Sequence, residues 1–223
     1  MGMSKIEKPK SLTKIALEAL RNSILNNELI PGTIYNEKGL ATTLGISRTP
    51  VREALLELSS RRLVRFLPQK GVVVNTFSDK DVDDVFEIRT ALELFSIKKI
   101  GSTPETFLDT SFLKNCLEDQ KKAAGKQDSV EFMEADRKFH IEFTTLADND
   151  YLLEMMQNIR DIMHLMGFRA LALNGRMQGV IEEHEKVFDA LKKRNYHQVM
   201  DEMARHLDIS KQAVKQFQQA NGS

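Results

Sequence analysis

The sequence predicts a mainly α-helical chain in two parts, a winged helix-turn-helix over residues 1–76 followed by an all-α antiparallel helical bundle over residues 77–223. Three observations predict it. A helix, tight turn and helix pattern over residues 36–58 is followed by two short β-branched runs around the turn Pro68-Gln69-Lys70-Gly71. Beyond residue 77 no strand signal occurs, and turn residues cut the chain into long amphipathic segments with short links. The charge divides along the same line. Residues 1–76 hold 12 Lys+Arg against 6 Asp+Glu, a charge of +6, which leaves 20 against 26, or −6, for the remainder. A basic part joined to an acidic part fits a nucleic-acid-binding module attached to something else, although the total is neutral.

A chain of 223 residues with 41% hydrophobic and 29% charged residues has the composition of a soluble globular protein and can bury a sizeable core. Cys116 is the only cysteine, which excludes an intrachain disulfide and points to a reducing, cytoplasmic home. Met1 to Lys10 is polar and lacks a signal-peptide core. The longest near-apolar run, residues 162–173, is interrupted by His164 and Arg169 and is too short to span a bilayer. No membrane partner is expected.

In the first part, Ser11 can cap a helix with Leu12, Ile15, Ala16, Ala19, Leu20 and Ile24 on one face, ending near Asn26-Asn27. Pro31-Gly32 makes a turn. A short helix follows, with Leu40, Ala41 and Leu44 apolar, although Gly39 weakens it. Gly45 turns the chain into a second helix, with Ser47 placed to cap it and Pro50 in its first turn, where a missing N–H costs nothing. Its apolar stripe is Val51, Ala54, Leu55 and Leu58, which leaves Arg48, Thr49, Arg52 and Glu53 polar at the N-terminal end. The runs Leu63–Leu67 and Val72–Val74 form the wing hairpin.

At Pro31-Gly32, Leu40-Ala41 and above all Ser47-Arg48-Thr49-Pro50-Val51-Arg52-Glu53-Ala54-Leu55 the chain resembles the GntR family of bacterial transcription regulators. A helix-turn-helix spacing alone would also suit an ordinary helical hairpin with solvated arginines; the longer string is far more specific. The N-terminal end of a recognition helix enters the major groove, where Arg48 and Arg52 can offer guanidinium forks to guanine or phosphate, with Thr49 beside them. The wing supplies Lys70 at its tip and Gly71, where a missing side chain lets the backbone approach a groove, and Lys38, early in the first short helix, can reach a phosphate; the resemblance strengthens all three, since GntR proteins contact DNA at matching places. A hairpin tip is usually polar and glycine-containing in any case.

In the second part the spacing predicts helices near 79–100 (closed by Gly101 and Pro104), 105–124 (closed by Gly125), 129–147, 151–173, 177–194 and 196–218. Several carry polar groups on apolar faces. Asp136 and His140 are four apart beside Met133 and Ala147; His184 lies among Val180, Ile181, Val187, Phe188 and Leu191; His206 lies among Val199, Met203, Leu207, Val214 and Phe217. Each histidine alone reads as a hydrogen-bonded core residue. One Asp and three His converging from three helices would satisfy one another by holding a divalent transition metal. Arg89, in line with Val82, Val85, Phe86 and Leu92, points inward and needs an anion, either Glu93 as a salt bridge or a ligand carboxylate.

The strings Glu87-Ile88-Arg89 with Glu93, Asp136-Arg137-Lys138-Phe139-His140, Asn149 to Leu152 with Arg160, Glu183-His184 and His206 resemble the FCD effector domain of the FadR subfamily over most of residues 79–217; residues 101–128 match little of it. That resemblance implies a metal, zinc or nickel, on Asp136, His140, His184 and His206, beside a pocket for a small organic acid that Arg89 would receive. A two-fold dimer presents two recognition helices to two half-sites, so a homodimer on a palindromic operator is expected, most simply as a repressor of a catabolic operon, although the sequence carries no sign that separates repression from activation; the near-apolar run Ile162–Leu173 is open either to dimer packing or to burial within one subunit. Two other readings are a DNA-binding protein whose bundle only dimerises without metal, and a metal-dependent hydrolase. The second lacks a general base beside the ligands, a nucleophile elbow and a phosphate loop, so no enzyme is expected.

Overall fold

The structure, a computed structural model, describes residues 10–102, 109–167, 170–171 and 173–221. The charged segment 1–9, the expected helix stop at Pro104, the start of the segment read as a helix over 105–124, and Arg169 fall outside the described residues. Two compact units, Met1–Thr76 and Phe77–Ser223, make up the chain.

The first unit begins with α1 (Leu12–Leu25), whose N-cap Ser11 accepts a hydrogen bond from the Lys14 amide. Ala16, Leu20, Ile24 and Leu25 are buried, whereas Leu12 and Ile15, expected on that face, are about half exposed because only one stripe of α1 packs on α3 (Arg48–Ser60). Between them, α2 (Glu37–Leu44) is capped by Asn36, whose side chain accepts from the Gly39 amide at 2.6 Å. The cap offsets the helix-weakening effect of Gly39, and the helix ends at Gly45 in the left-handed region, φ +66. Ser47 is the N-cap residue of α3, yet its side chain makes no capping hydrogen bond, contrary to the sequence expectation. Pro50 is buried in the first turn with Val51, Ala54, Leu55 and Leu58 behind it.

The wing is a three-stranded sheet rather than a two-stranded hairpin. β2 (Val64–Leu67) and β3 (Gly71–Val74) pair antiparallel with Val64 opposite Val74 and Leu67 opposite Gly71. The two-residue β1 (Ile34–Tyr35) pairs on the other side of β3, giving the order β1-β3-β2. Two residues are too few for an alternating pattern, so β1 had no periodic signal.

In the second unit the helices are α4 (Asp79–Ser102), α5 (Ser111–Lys126), α6 (Ser129–Leu146), α7 (Asp150–Gly167), α8 (Arg176–Lys192) and α9 (Tyr196–Asn221). Two of the expected stops are displaced. α4 continues through Gly101, where a Cβ would sit 2.7 Å from the Tyr196 ring; this glycine serves close packing rather than termination. α5 passes Gly125 and is closed by Gln127 in the left-handed region. The helix expected to reach 173 ends at Gly167.

α4 and α9 run antiparallel, as shown by Lys215 of α9 paired with Asp83 of α4 at 2.6 Å and by Gln218 Nε2 donating to the Phe77 carbonyl. The largest apolar cluster includes Ile97, Leu113, Phe139, Phe143, Val187, Leu191, Val199 and Met203, and Phe139 meets Phe143 edge to face. Burying one such ring contributes about 1.5–3 kcal/mol, which fixes the mutual placement of α4, α5, α6, α8 and α9. The run expected over 162–173 is used inside the subunit: Met163, Met166 and Ala170 join Val82, Phe86 and Val214 in one cluster, and Leu171 joins Phe132 and Ile181 in another.

Candidate metal centre and nucleic-acid interface

The first turn of α3 exposes Arg48, Thr49 and Arg52. Between this turn and the wing lies an open groove of about 650 Å³ lined by Lys38, Arg48, Arg52, Lys70 and Gly71, together with Glu37, Phe66 and Pro68. Thr49 is exposed but does not line the groove. Four cations thus face one concavity on a helix N-terminus, an arrangement that attracts phosphate. Arg52 Nη1 donates to Glu37 Oε1 at 2.6 Å, and its guanidinium lies 5.8 Å from the Phe66 ring centroid. Glu37 was not singled out in the sequence; it sits 15 positions from Arg52 and only the turn at Gly45 brings them together. Gly71 has φ +117, and a Cβ there would lie 2.2 Å from the Tyr35 carbonyl oxygen. A glycine is therefore required by the closeness of β1, a reason separate from any approach to DNA.

Asp136 and His140 of α6, His184 of α8 and His206 of α9 converge, their ligand atoms all within 4.8 Å of one another. The three imidazoles are held from behind. His140 Nδ1 lies 2.6 Å from Glu93 Oε2, His206 Nδ1 2.7 Å from Glu183 Oε2, and His184 Nδ1 3.0 Å from Gln120 Oε1. Each of these oxygens only accepts, so each Nδ1 carries the proton and each Nε2 is left as a lone pair. Phe139 stacks on His184 with centroids 4.2 Å apart and fixes its plane.

The three lone pairs point at one another. His206 Nε2 lies 3.2 Å from both His184 Nε2 and His140 Nε2, and Asp136 Oδ1 lies 3.7 Å from His140 Nε2 and 3.8 Å from His184 Nε2. Nitrogens bound to one zinc at their usual bond length would be separated by about 3.0–3.4 Å, depending on geometry. Lone pairs so disposed repel unless a cation lies between them, so the donor set fits a divalent metal with nitrogen and carboxylate preferences.

The charge states agree. Burial alone would raise the Asp136 carboxyl, but the positive charge around it, Arg160 foremost, outweighs burial and holds it well below the carboxylate range. Burial, then Arg89, pushes His140 well below the imidazole range; burial, then His206, does the same to His184. Burial also lowers His206, with Glu183 opposing. Neutral imidazoles with an ionised carboxylate are the forms that bind metal.

Arg89 is 3% exposed and donates through Nε to Glu93 Oε1 at 2.6 Å, while its Nη2 has no hydrogen-bond partner among the described residues. The two roles weighed for Arg89 are therefore not exclusive, since the ion pair occupies one edge of the guanidinium and leaves another free. Arg160, which the sequence reading gave no role, is 1% exposed and donates through Nη2 to Asp136 Oδ2 at 2.5 Å, with Nε unpartnered among the described residues. Gln120 was missed altogether. It shares the buried face of α5 with Leu113, Cys116, Leu117 and Ala123, so the search for a polar residue within an apolar stripe, applied to α5, would have found it.

Residues 12–74 match the bacterial regulatory proteins of the gntR family, and residues 84–209 match the FCD domain. The HTH-type transcriptional repressor RspR of Escherichia coli K12 is 28% identical over 202 residues, 91% of this chain and 88% of its own. The gluconate operon transcriptional repressor of Bacillus licheniformis is 30% identical over 176 residues, 79% of this chain and 70% of its own. The solved structure of E. coli McbR/YncC superposes with a TM-score of 0.80 at 25% identity, covering 93% of this chain and 99% of its own.

Proposed function

The chain belongs to the GntR family of bacterial regulatory proteins and carries an FCD domain, and from that premise we propose that it is a homodimeric repressor whose grip on a palindromic operator responds to an organic acid bound beside a metal ion. That it is a ligand-responsive, DNA-binding transcription regulator follows from the family itself. In the finer reading, Arg48, Thr49 and Arg52 read base edges while Lys38, Lys70 and the backbone at Gly71 engage the flanking duplex. Asp136, His140, His184 and His206 hold zinc or nickel, and Arg89 receives the carboxylate of the acid. The bundle senses and does not catalyse, and the protein works in the cytoplasm. Among the described residues no helix is long and apolar enough to cross a membrane.

The observation that carries this reading is the convergence of three Nε2 lone pairs whose Nδ1 atoms are each tied to an accepting oxygen. A bundle built only for dimerisation has no use for such a set, since unpaired lone pairs at 3.2 Å would oppose folding. For the dimer, α4 leaves Ile88 and Phe95 exposed and the adjoining α7 leaves Tyr151 and Met155 exposed, and these support packing through α4 and α7 rather than through the 162–173 run. Metal analysis of the purified protein tests the central claim. About one zinc or nickel per chain, lost in His184→Ala, is expected; a metal-free chain indifferent to both ions would reduce the bundle to a dimerisation module.

A further inference from the structure

The carboxylate behind His206 is itself held. Arg176, the first residue of α8, donates from Nη1 to Glu183 Oε1 at 2.6 Å and from Nη2 to Glu183 Oε2 at 3.0 Å, and the same Oε2 accepts from His206 Nδ1 at 2.7 Å. Arg176 Nη2 also donates to Ser210 Oγ at 3.0 Å, which ties the start of α8 to α9 one turn beyond His206. Residues seven apart on a helix share a face but are separated by about 10.5 Å of rise, so only a long side chain spans them. The Arg176 and Glu183 side chains are 10% and 14% exposed, and solvent therefore screens the pair little.

Between them, in the interior of α8, lies Gly179. A Cβ built there would stand 3.2 Å from Arg176 Nη1 and 3.7 Å from Glu183 Oε1, the two atoms of the 2.6 Å bond. A glycine inside a helix weakens it, and Gly179 has no positive φ that would call for one. What its missing side chain leaves is room for the guanidinium. The same kind of support recurs behind His140, where Arg89 holds one oxygen of Glu93 and His140 Nδ1 the other, whereas His184 rests on the neutral amide of Gln120.

We propose that Arg176 and Gly179 are positioning residues of the metal centre: Gly179 leaves the space in which the Arg176 fork closes on Glu183, and that fork fixes how His206 on α9 faces His184 on α8. The inference rests on the metal reading above and adds to it two residues that are not ligands. A carboxylate gripped on both oxygens cannot turn, so the imidazole that donates to it keeps one direction and one tautomer. Without the grip Glu183 rotates, and the Nε2 lone pair of His206 loses its aim.

Three measurements on the full chain test this together: zinc affinity by chelator competition, the visible absorption of the cobalt(II)-loaded protein, and the melting temperature of the metal-free protein. Arg176→Met is expected to weaken zinc about tenfold and to change the cobalt band shape, with Arg176→Lys between it and the wild type. Gly179→Ala is the sharper variant. Alanine favours the helix, so the metal-free melting temperature is expected to hold or rise, while the displaced guanidinium lowers zinc affinity several-fold. Affinity and stability would then move apart, which a purely structural role cannot produce. Should Arg176→Met fail to fold, Gly179→Ala and Arg176→Lys carry the same three readouts. Unaltered zinc affinity and cobalt absorption in those two variants would overturn the inference and leave the metal centre standing, as would an affinity that falls only in step with the metal-free melting temperature. A wild-type chain that takes up neither zinc, nickel nor cobalt would overturn both.

Discussion

Glu93 and His140 stand 47 positions apart in the chain and meet at 2.6 Å, the second carboxylate oxygen of Glu93 being held by Arg89 at the same distance. One buried carboxylate therefore sets the tautomer of a candidate metal ligand and anchors the candidate effector arginine. Glu93→Ala is expected to lower zinc affinity by about 10–100-fold without removing any ligand. Competition with a chromophoric chelator measures it, and an unchanged affinity would show that the imidazole needs no support from behind.

Metal should also stabilise the second unit by mass action. Zinc at about 100 times its dissociation constant adds about 2.7 kcal/mol to the native state, so the melting temperature is expected to rise with zinc and fall again with EDTA. His206→Ala should abolish the response in differential scanning fluorimetry. A full response in that variant would remove His206 from the centre.

On the DNA side, Arg48→Ala and Arg52→Ala are each expected to weaken operator binding by about 1–3 kcal/mol and to relax selectivity at one base pair. Glu37→Gln loosens the 2.6 Å tie on Arg52 and should lower selectivity at the base pair that Arg52→Ala affects, while the loss of one negative charge in the groove raises affinity for all sequences slightly. Lys70→Ala should weaken all sequences alike and flatten the salt dependence by about one contact. Fluorescence anisotropy at several salt concentrations separates these patterns.

Gly71→Ala must place a Cβ on the Tyr35 carbonyl oxygen at φ +117. A loss of about 2–4 kcal/mol in the first unit is expected from strain and overpacking together, read by urea unfolding of that unit. Wild-type stability would mean that β1 withdraws from β3 at no cost.

Cys116 is buried, and burial, followed by Glu142, pushes its thiol up to about 11. Little thiolate exists at pH 8, so reaction with a disulfide reagent is expected to be slow in the native protein and fast in denaturant. Rapid labelling under native conditions would show that α5 opens readily.

The helices, the recognition string and the four candidate ligands were legible because each rests on local spacing: a polar residue in an apolar stripe announces itself within one helix. What escaped was what depends on a distant partner. β1 exists only because β3 offers it an edge, and Gly101 reads as a stop until Tyr196 is seen against it. Glu93 and Glu183 acquire their roles only when α4 and α8 bring them behind the imidazoles, whereas Gln120 stood in the apolar stripe of α5 and carried the local signal that marks the ligands. The near-apolar stretch ending at Leu173 was ambiguous for the same reason, since hydrophobicity does not say whether its neighbour is the same chain or a second copy.

The three histidines of the candidate centre come from α6, α8 and α9, each on a different helix. A bound ion would then act as a rivet through three rods. Amide protons on those helices should exchange with solvent together when it is in place and helix by helix when it is stripped, so that sensing and mechanical cooperativity become one property of the same four atoms.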